Sequence, residues 1–321
     1  MSTIAPPAPA IAKLARPGEI YAIAVLAVAL AAAPFAVYPY FLSGALCFAL
    51  FACAFNLLVG YCGLLSFGHA LFFGAASYFA AHMAKVWGWP PGLAVVAATC
   101  AAGALGLGAG ALSIRRQGIY FSMITLALAQ MGYFLAVQAP FTHGEDGIQA
   151  VPRGHLFGLV NLGHDLTLYY VVLVVFLFGL LATYRIVHSP FGAVLKAIRE
   201  NEPRAISLGY RVERYKLVAF GLSAALAGLA GAAKAIVAQS ATLTDVYWTT
   251  SGEVILMTLV GGMGTITGPV VGAFIIVAMQ NYLSTFGQWA MVIQGAIFVV
   301  CVLAFRRGLV GEAAARLKIS L

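Results

Sequence analysis

The chain has 321 residues, of which 62% are hydrophobic and only 9% charged. Soluble domains are about half apolar and about a quarter charged, so this composition excludes an ordinary soluble fold and points to an integral membrane protein. The net charge of +8 does not indicate nucleic acid, because the lysines and arginines flank apolar segments, where they set membrane orientation.

Residues 1–18, rich in Pro and Ala, read as a disordered cytoplasmic N-terminus. Lys13 and Arg16 before an apolar run resemble the start of a signal peptide, but the run continues to Val37 and another follows, so an uncleaved first helix is expected. Ile20 to Ala84 and Val254 to Phe305 contain no Asp, Glu, Lys or Arg. One crossing takes about 20 apolar residues, so each stretch crosses more than once.

The predicted spans are Ile20–Val37, Phe41–Val59, Ala70–Ala84, Leu93–Ile114, Gly118–Val137, Leu168–Tyr184, Leu217–Ala233, Val254–Gly262, Gly268–Leu283 and Gln288–Phe305. The eighth is short and the third is interrupted near its start. The fold class is therefore an all-α, polytopic membrane protein with eight to ten transmembrane helices, the membrane domain covering residues 19–308 and a cytoplasmic tail 309–321. Cys47, Cys53, Cys62, Cys100 and Cys301 lie in or beside apolar runs without metal spacing and read as small packing residues.

Ten crossings place Lys13 and Arg16, Arg115 and Arg116, the cation-rich segment 185–216, and Arg306, Arg307, Arg316 and Lys318 on one side. By the positive-inside rule that side is the cytoplasm, with both termini there. The loop 138–167, carrying Glu145, Asp146, Arg153 and Asp165, then lies outside.

Within 185–216, "SPFGAVLKAIRENEPRAISLG" begins with Ser189 as an N-cap and Pro190 at the first helical position. Phe191, Val194, Leu195 and Ile198 recur at helical spacing as one apolar stripe, with Lys196, Arg199 and Glu200 off it. Pro203 ends this helix, a second turn carries Ala205, Ile206 and Leu208, and Gly209 suits a C-cap. Such a helix either rests in lipid headgroups or is anchored in a groove on another protein. Glu200 and Glu202 interrupt the basic face, which favours the protein.

The segment resembles the coupling helix of branched-chain amino acid ABC transporter permeases, in particular the LivM-like subunit. "GLLSFGHALFFGAASY", "GIYFSMITLALAQ", "THGEDGIQAVP" and "GGMGTITGPVVGAF" follow in the family's order. One departure is Thr142-His143-Gly144, where the family usually has Thr-Gly-Gly; it bears on which solute is carried. The resemblance implies an ABC importer permease fold with an internally duplicated helical core, in a bacterial inner membrane. It implies a second, LivH-like permease, two LivG/LivF-like ATPases holding ATP-Mg, and an external solute-binding protein. The coupling residues would be Ser189, Pro190, Phe191, Gly192, Val194, Leu195, Lys196, Ile198, Arg199, Glu200, Asn201, Glu202, Ala205 and Gly209. Glu145, Asp146 and Arg153 would help seat the binding protein.

No G-x-x-x-x-G-K-[ST] sequence occurs, so this chain is expected to bind no cofactor, to be no enzyme, and to leave ATP to other chains. Two glycine-rich breaks stand out, around Gly63, Gly68 and Gly74 and around Gly261, Gly262, Gly264 and Gly268. Broken helices are tolerated where backbone is buried in protein or lines a water-filled path. Asn56, Ser66, His69, Thr125 and Gln130 add polar groups, and with the glycines they are the candidate path residues. Interhelical hydrogen bonding is the competing role for each. Lys234 is expected to snorkel outward, and Asp245 and Glu253 to lie near the outer surface.

The rival functions are an ion-coupled secondary carrier, which would want a mid-membrane carboxylate, and a membrane hydrolase or metalloenzyme, which would want clustered ligands. His69, His82, His143, His155, His164 and His188 are scattered. Among importers, branched-chain amino acids, urea, amides and small aromatic or organic acids all remain open as solutes.

Overall fold

The computed structural model describes residues 17–156, 160–283, 285, 287, 289–305 and 308–316. Lys13, Arg16, Arg306, Arg307 and Lys318, and with them the predicted disordered N-terminus and the end of the tail, lie outside the described residues, apart from Pro17 and Gly18.

Each predicted span holds a helix. They are α1 (Pro17–Ala32), α2 (Pro39–Asn56), α3 (His69–Lys85), α4 (Pro91–Ser113), α5 (Ile119–Gln138), α6 (Asp165–Val187), α9 (Val212–Ala238), α11 (Trp248–Gly261), α12 (Gly268–Leu283) and α13 (Trp289–Ala304). Between them lie α7 (Pro190–Glu200), α8 (Glu202–Ser207) and α10 (Leu243–Val246), and α14 (Gly308–Arg316) closes the described chain. Among the described residues six helices are long and apolar enough to cross a bilayer; α3, α12 and α13, at 17, 16 and 16 residues, are shorter, and α11 has 14. At 1.5 Å per residue α11 reaches only about 21 Å.

The mostly buried α2 and α9 form the centre, with α3, α4, α6 and α12 around them. Small residues bring helices close where no hydrophobic drive separates helix from lipid. A Cβ on Gly106 of α4 would run into the Ala224 methyl of α9, and one on Gly228 into Ala102. The helical fold is supplemented by two very short antiparallel pairs. β1 (Ile148–Gln149) pairs with β4 (Ser240–Ala241), and β2 (His155–Leu156) with β3 (Val160–Asn161).

Contacts sort the connections into two ends. At one, His188 pairs with Glu19 at 3.0 Å, and Glu202 accepts from Gln117 at 3.0 Å and from Lys216 at 2.7 Å. Gly308 packs against Gly262 there. At the other, Lys85 donates to the Gln149 carbonyl at 2.7 Å, and the Val151 amide to the Gln239 carbonyl at 3.0 Å. Every pairing joins connections predicted for the same side.

Lys234 corrects one expectation. It does not reach outward but pairs with Asp245 at 2.7 Å, the two side chains being 16% and 6% exposed. An acidic partner is available inside the bundle because α10 folds back against α3 and α5 and brings both Asp245 oxygens within reach of the ammonium.

Candidate functional site

The cation-rich end is built around α7 and α8. The Ser189 hydroxyl accepts from the Gly192 amide at 3.3 Å, and Pro190 follows at the first turn. A Cβ on Gly192 would strike the Ile186 and Val187 carbonyls, so glycine lets α7 turn tightly off α6. Asn201 caps α8 by accepting from the Arg204 amide at 3.0 Å. The α8 end closes with Gly209 at φ +86, its amide donating to Ile206 at 2.9 Å and the Tyr210 amide to Ala205 at 3.2 Å. That paired pattern is the Schellman motif, which favours glycine in the left-handed region. Two successive capped helices thus follow from Ser-Pro, Asn-Glu-Pro and Gly.

The apolar stripe corrects a second expectation. Leu195 and Ile198 are buried against this chain, Val194 packs beside Ile198, Ala205 and Val212, and Phe191 stacks on Tyr215 at 5.6 Å. The stripe seats α7 on its own bundle because α9 brings Val212 and Tyr215 beneath it. The exposed residues are Pro190, Ala193, Lys196, Ala197, Arg199, Glu200, Asn201, Pro203 and Arg204, with Ile206, Ser207, Leu208, Gly209 and Tyr210 beyond. Glu202 is engaged with Lys216 and Gln117 and pins α8 to the start of α9 and the loop before α5.

Beneath α7 the two glycine breaks meet. After α2 the chain makes one π turn, Leu57–Cys62, and stops at Gly63 with φ +76. The second break passes Gly262 at φ +123 and Gly264 at φ +79. Asn56 joins them, its Nδ2 donating to the Thr265 carbonyl at 2.8 Å and its Oδ1 accepting from the Gly264 amide at 3.0 Å. Arg199 donates from Nη1 to the Gly60 carbonyl, and Lys196 lies 5.4 Å from the centre of the Tyr61 ring. Gly268 begins α12, its amide donating to the Thr265 hydroxyl at 3.1 Å. Gly261 packs directly against the Gly268 carbonyl.

Most polar candidates are buried here and bonded within the chain. Ser66 accepts from the Gly68 amide at 3.2 Å, and Thr125 accepts from Phe67 at 3.2 Å while donating to Ser122 at 2.9 Å. Ser223 donates to the Ala54 carbonyl at 2.6 Å, so His69, 2.8 Å away through Nε2, donates to Ser223. Phe55, Phe72 and Phe220 surround that imidazole edge-on. A Cβ on Gly74 would sit 2.7 Å from the Val246 backbone.

Gln130 opens into a cavity. It lines a cleft of about 490 Å³ with Tyr133, Phe134, Leu243, Thr244 and Tyr247. The Tyr133 and Tyr247 rings, 5.0 Å apart between centres, pack against each other in its wall. The cleft carries hydroxyl, amide and aromatic groups but no charge. A larger groove of about 900 Å³ between α4 and α6 is apolar apart from Thr167 and Tyr170 and offers a polar solute little to hold.

At the opposite end, Glu145 and Asp146 are exposed on a single 3-10 turn. Arg153 is not free: it pairs with Asp165 at 2.9 Å and donates to the Val237 carbonyl at 3.0 Å. No cluster of three metal-ligating side chains occurs among the described residues.

Sequence reasoning missed Tyr133, Thr244 and Tyr247, and the partners Ser223, Ser251 and Thr265. Tyr133 sits one turn after Gln130, a spacing that offered a signal; the others come from distant segments and offered none. Ser251 accepts from the Ala70 amide at 2.8 Å across 181 positions.

The family model described as "Branched-chain amino acid transport system / permease component" matches residues 37–302. The chain is 27% identical over 287 residues to the high-affinity branched-chain amino acid transport system permease protein LivM of Escherichia coli K12, covering 82% of this chain and 68% of that protein. It is also 28% identical over 196 residues to the ribose import permease protein RbsC of Bacillus subtilis, covering 56% of this chain and 58% of that protein. No solved structure matches. With a buried helical core, two glycine breaks and the family model spanning most of its length, this chain belongs to the branched-chain amino acid transport system permease component family, a family of ABC transporter permeases.

Proposed function

We propose that this chain is one of two permease subunits of an ATP-driven, binding-protein-dependent importer of branched-chain or chemically related amino acids. The observation that carries the reading is the exposed face of α7–α8, where Ile206 and Leu208 stand 57% and 70% exposed among charged residues. Two apolar anchors on a capped, rigid helix pair suit a groove on another protein. The cation-rich end faces the cytoplasm, and ATP-Mg is held on separate ATPase chains that dock there. ATP-driven closure of those chains moves α7 and rearranges the permease pair about a central path.

The path passes the Gln130 cleft. Its uncharged hydroxyl, amide and aromatic lining suits a small, net-neutral solute that must enter and leave, because tight polar binding would stop transport. Similarity to LivM over 82% of the chain supports an amino acid. Similarity to RbsC over 56% supports a sugar less strongly. Vesicles holding both permeases and both ATPases, with binding protein outside, should take up labelled leucine, isoleucine or valine only when ATP is enclosed. Uptake driven by an ion gradient without the ATPases would contradict the reading.

A further inference from the structure

We propose that Arg199 makes α7, the π turn after α2 and the second glycine break move as one unit, so that force on α7 reaches both breaks at once. The proposal rests on reading α7–α8 as the ATPase-docking element. One side chain stands over three glycines: its Nη1 donates to the Gly60 carbonyl, a Cβ added to Gly63 would meet its Cγ at 3.1 Å, and one added to Gly264 would lie 3.5 Å from Nη1. Gly60 is 139 residues from Arg199 in sequence.

The chemistry favours a firm joint. A helix C-terminus leaves carbonyls without intrahelical partners and carries a negative partial charge, so a guanidinium there is bonded and attracted together. The guanidinium is a planar fork of donors, which fixes orientation as a flexible ammonium does not. Lys196, three residues earlier on α7, adds a second cation against the same turn through the Tyr61 ring.

The breaks are in turn bolted to each other. Both ends of the Asn56 amide are used, on Thr265 and Gly264. Gly60 has no room for a side chain: a Cβ would collide with the Asn56 oxygen and come within 2.8 Å of the Gly264 amide nitrogen. Arg199 keeps an exposed edge, so it lies between the face offered to a partner and the two breaks. It is a positioning residue, acting through the backbone it holds.

Arg199→Ala and Arg199→Lys are compared in the reconstituted four-subunit complex with binding protein, reading solute moved per ATP hydrolysed. Arg199→Ala should keep its ATPases but lower that ratio about tenfold, with Arg199→Lys intermediate. A wild-type ratio in Arg199→Ala, or loss of its ATPases, would overturn the proposal. A cap that merely stabilised α2 would lower thermal stability and leave the ratio alone. A second measurement does not depend on removing the side chain. Lys196→Cys and Tyr61→Cys, in a background with Cys100→Ser and Cys301→Ser, are bridged by a short bis-methanethiosulfonate, which joins the two thiols through disulfides and releases sulfinate. A unit that moves together transports as well bridged as the same double variant does unbridged; arrest on bridging that reductant reverses would show α7 sliding over the turn and would overturn the proposal. The docking reading itself is read separately, from ATPase retention in Leu208→Asp.

Discussion

The Lys234 ammonium lies 2.7 Å from one oxygen of Asp245 and 2.9 Å from the other, closing α10 onto α9 inside the bundle. Asp245 also accepts from the Thr242 amide at 3.2 Å, completing a capping box. The pair therefore fixes the short helix that supplies Leu243 and Thr244 to the cleft wall. Removing one partner leaves a buried charge uncompensated and costs about 3–5 kcal/mol, whereas removing both is far milder. Lys234→Met should lower the thermal unfolding temperature of the detergent-purified complex sharply, and Lys234→Met/Asp245→Leu should recover most of the loss. A Lys234→Met variant as stable as wild type would show that the pair contributes nothing.

Gly74 should tolerate no side chain. The Val246 backbone occupies the space a Cβ would need, so Gly74→Leu must displace α10 and with it the cleft. Normal membrane insertion with abolished uptake is expected. Full uptake would mean that α10 can move aside without consequence.

Sidedness follows from the two ends of the bundle. A cysteine at Glu200 should react with a membrane-impermeant thiol reagent only after the cytoplasmic face is opened, and one at Asp146 should react from outside. Both positions are exposed, so reactivity reports side and not burial. The same sidedness for both would contradict the orientation.

Charge reversal at Asp146 should weaken docking of loaded binding protein while leaving the purified complex intact, because the residue stands exposed on the 3-10 turn and bonds nothing through its carboxylate among the contacts described. Arg153→Glu should instead lower stability, since it breaks the pair with Asp165 and the bond to Val237. Docking that is unchanged and insensitive to salt in the Asp146 variant would reduce the turn to a structural role.

That each of the ten predicted segments holds a helix was readable because apolar runs leave little choice but a helix, although only six of these helices are long and apolar enough to cross a bilayer among the described residues. Ser189-Pro190 and Gly209 mark the ends of the α7–α8 pair by local chemistry alone. Which face of α7 looks outward was not readable. The spacing of Phe191, Leu195 and Ile198 shows that a stripe is buried, but the same stripe would serve a foreign groove or the chain's own Val212 and Tyr215. Asn56 likewise shows only a polar group in an apolar run; that it joins residues 208 and 209 positions away is decided by tertiary packing. Lys234 misled for the same reason, its partner lying on a helix of four residues too short for any periodic signal.

The central claim is that the outward face of α7–α8 docks the ATPases while the buried stripe holds the loop in place, and one comparison tests it. Ile206→Asp/Leu208→Asp should leave the permease pair folded and as heat-stable as wild type. The ATPases should no longer copurify in detergent, because burying an apolar side chain contributes about 1.5–3 kcal/mol and a buried unpaired carboxylate costs still more. Phe191→Asp/Ile198→Asp should instead lower the stability of the permease itself. ATPases retained at wild-type stoichiometry in Ile206→Asp/Leu208→Asp would contradict the account.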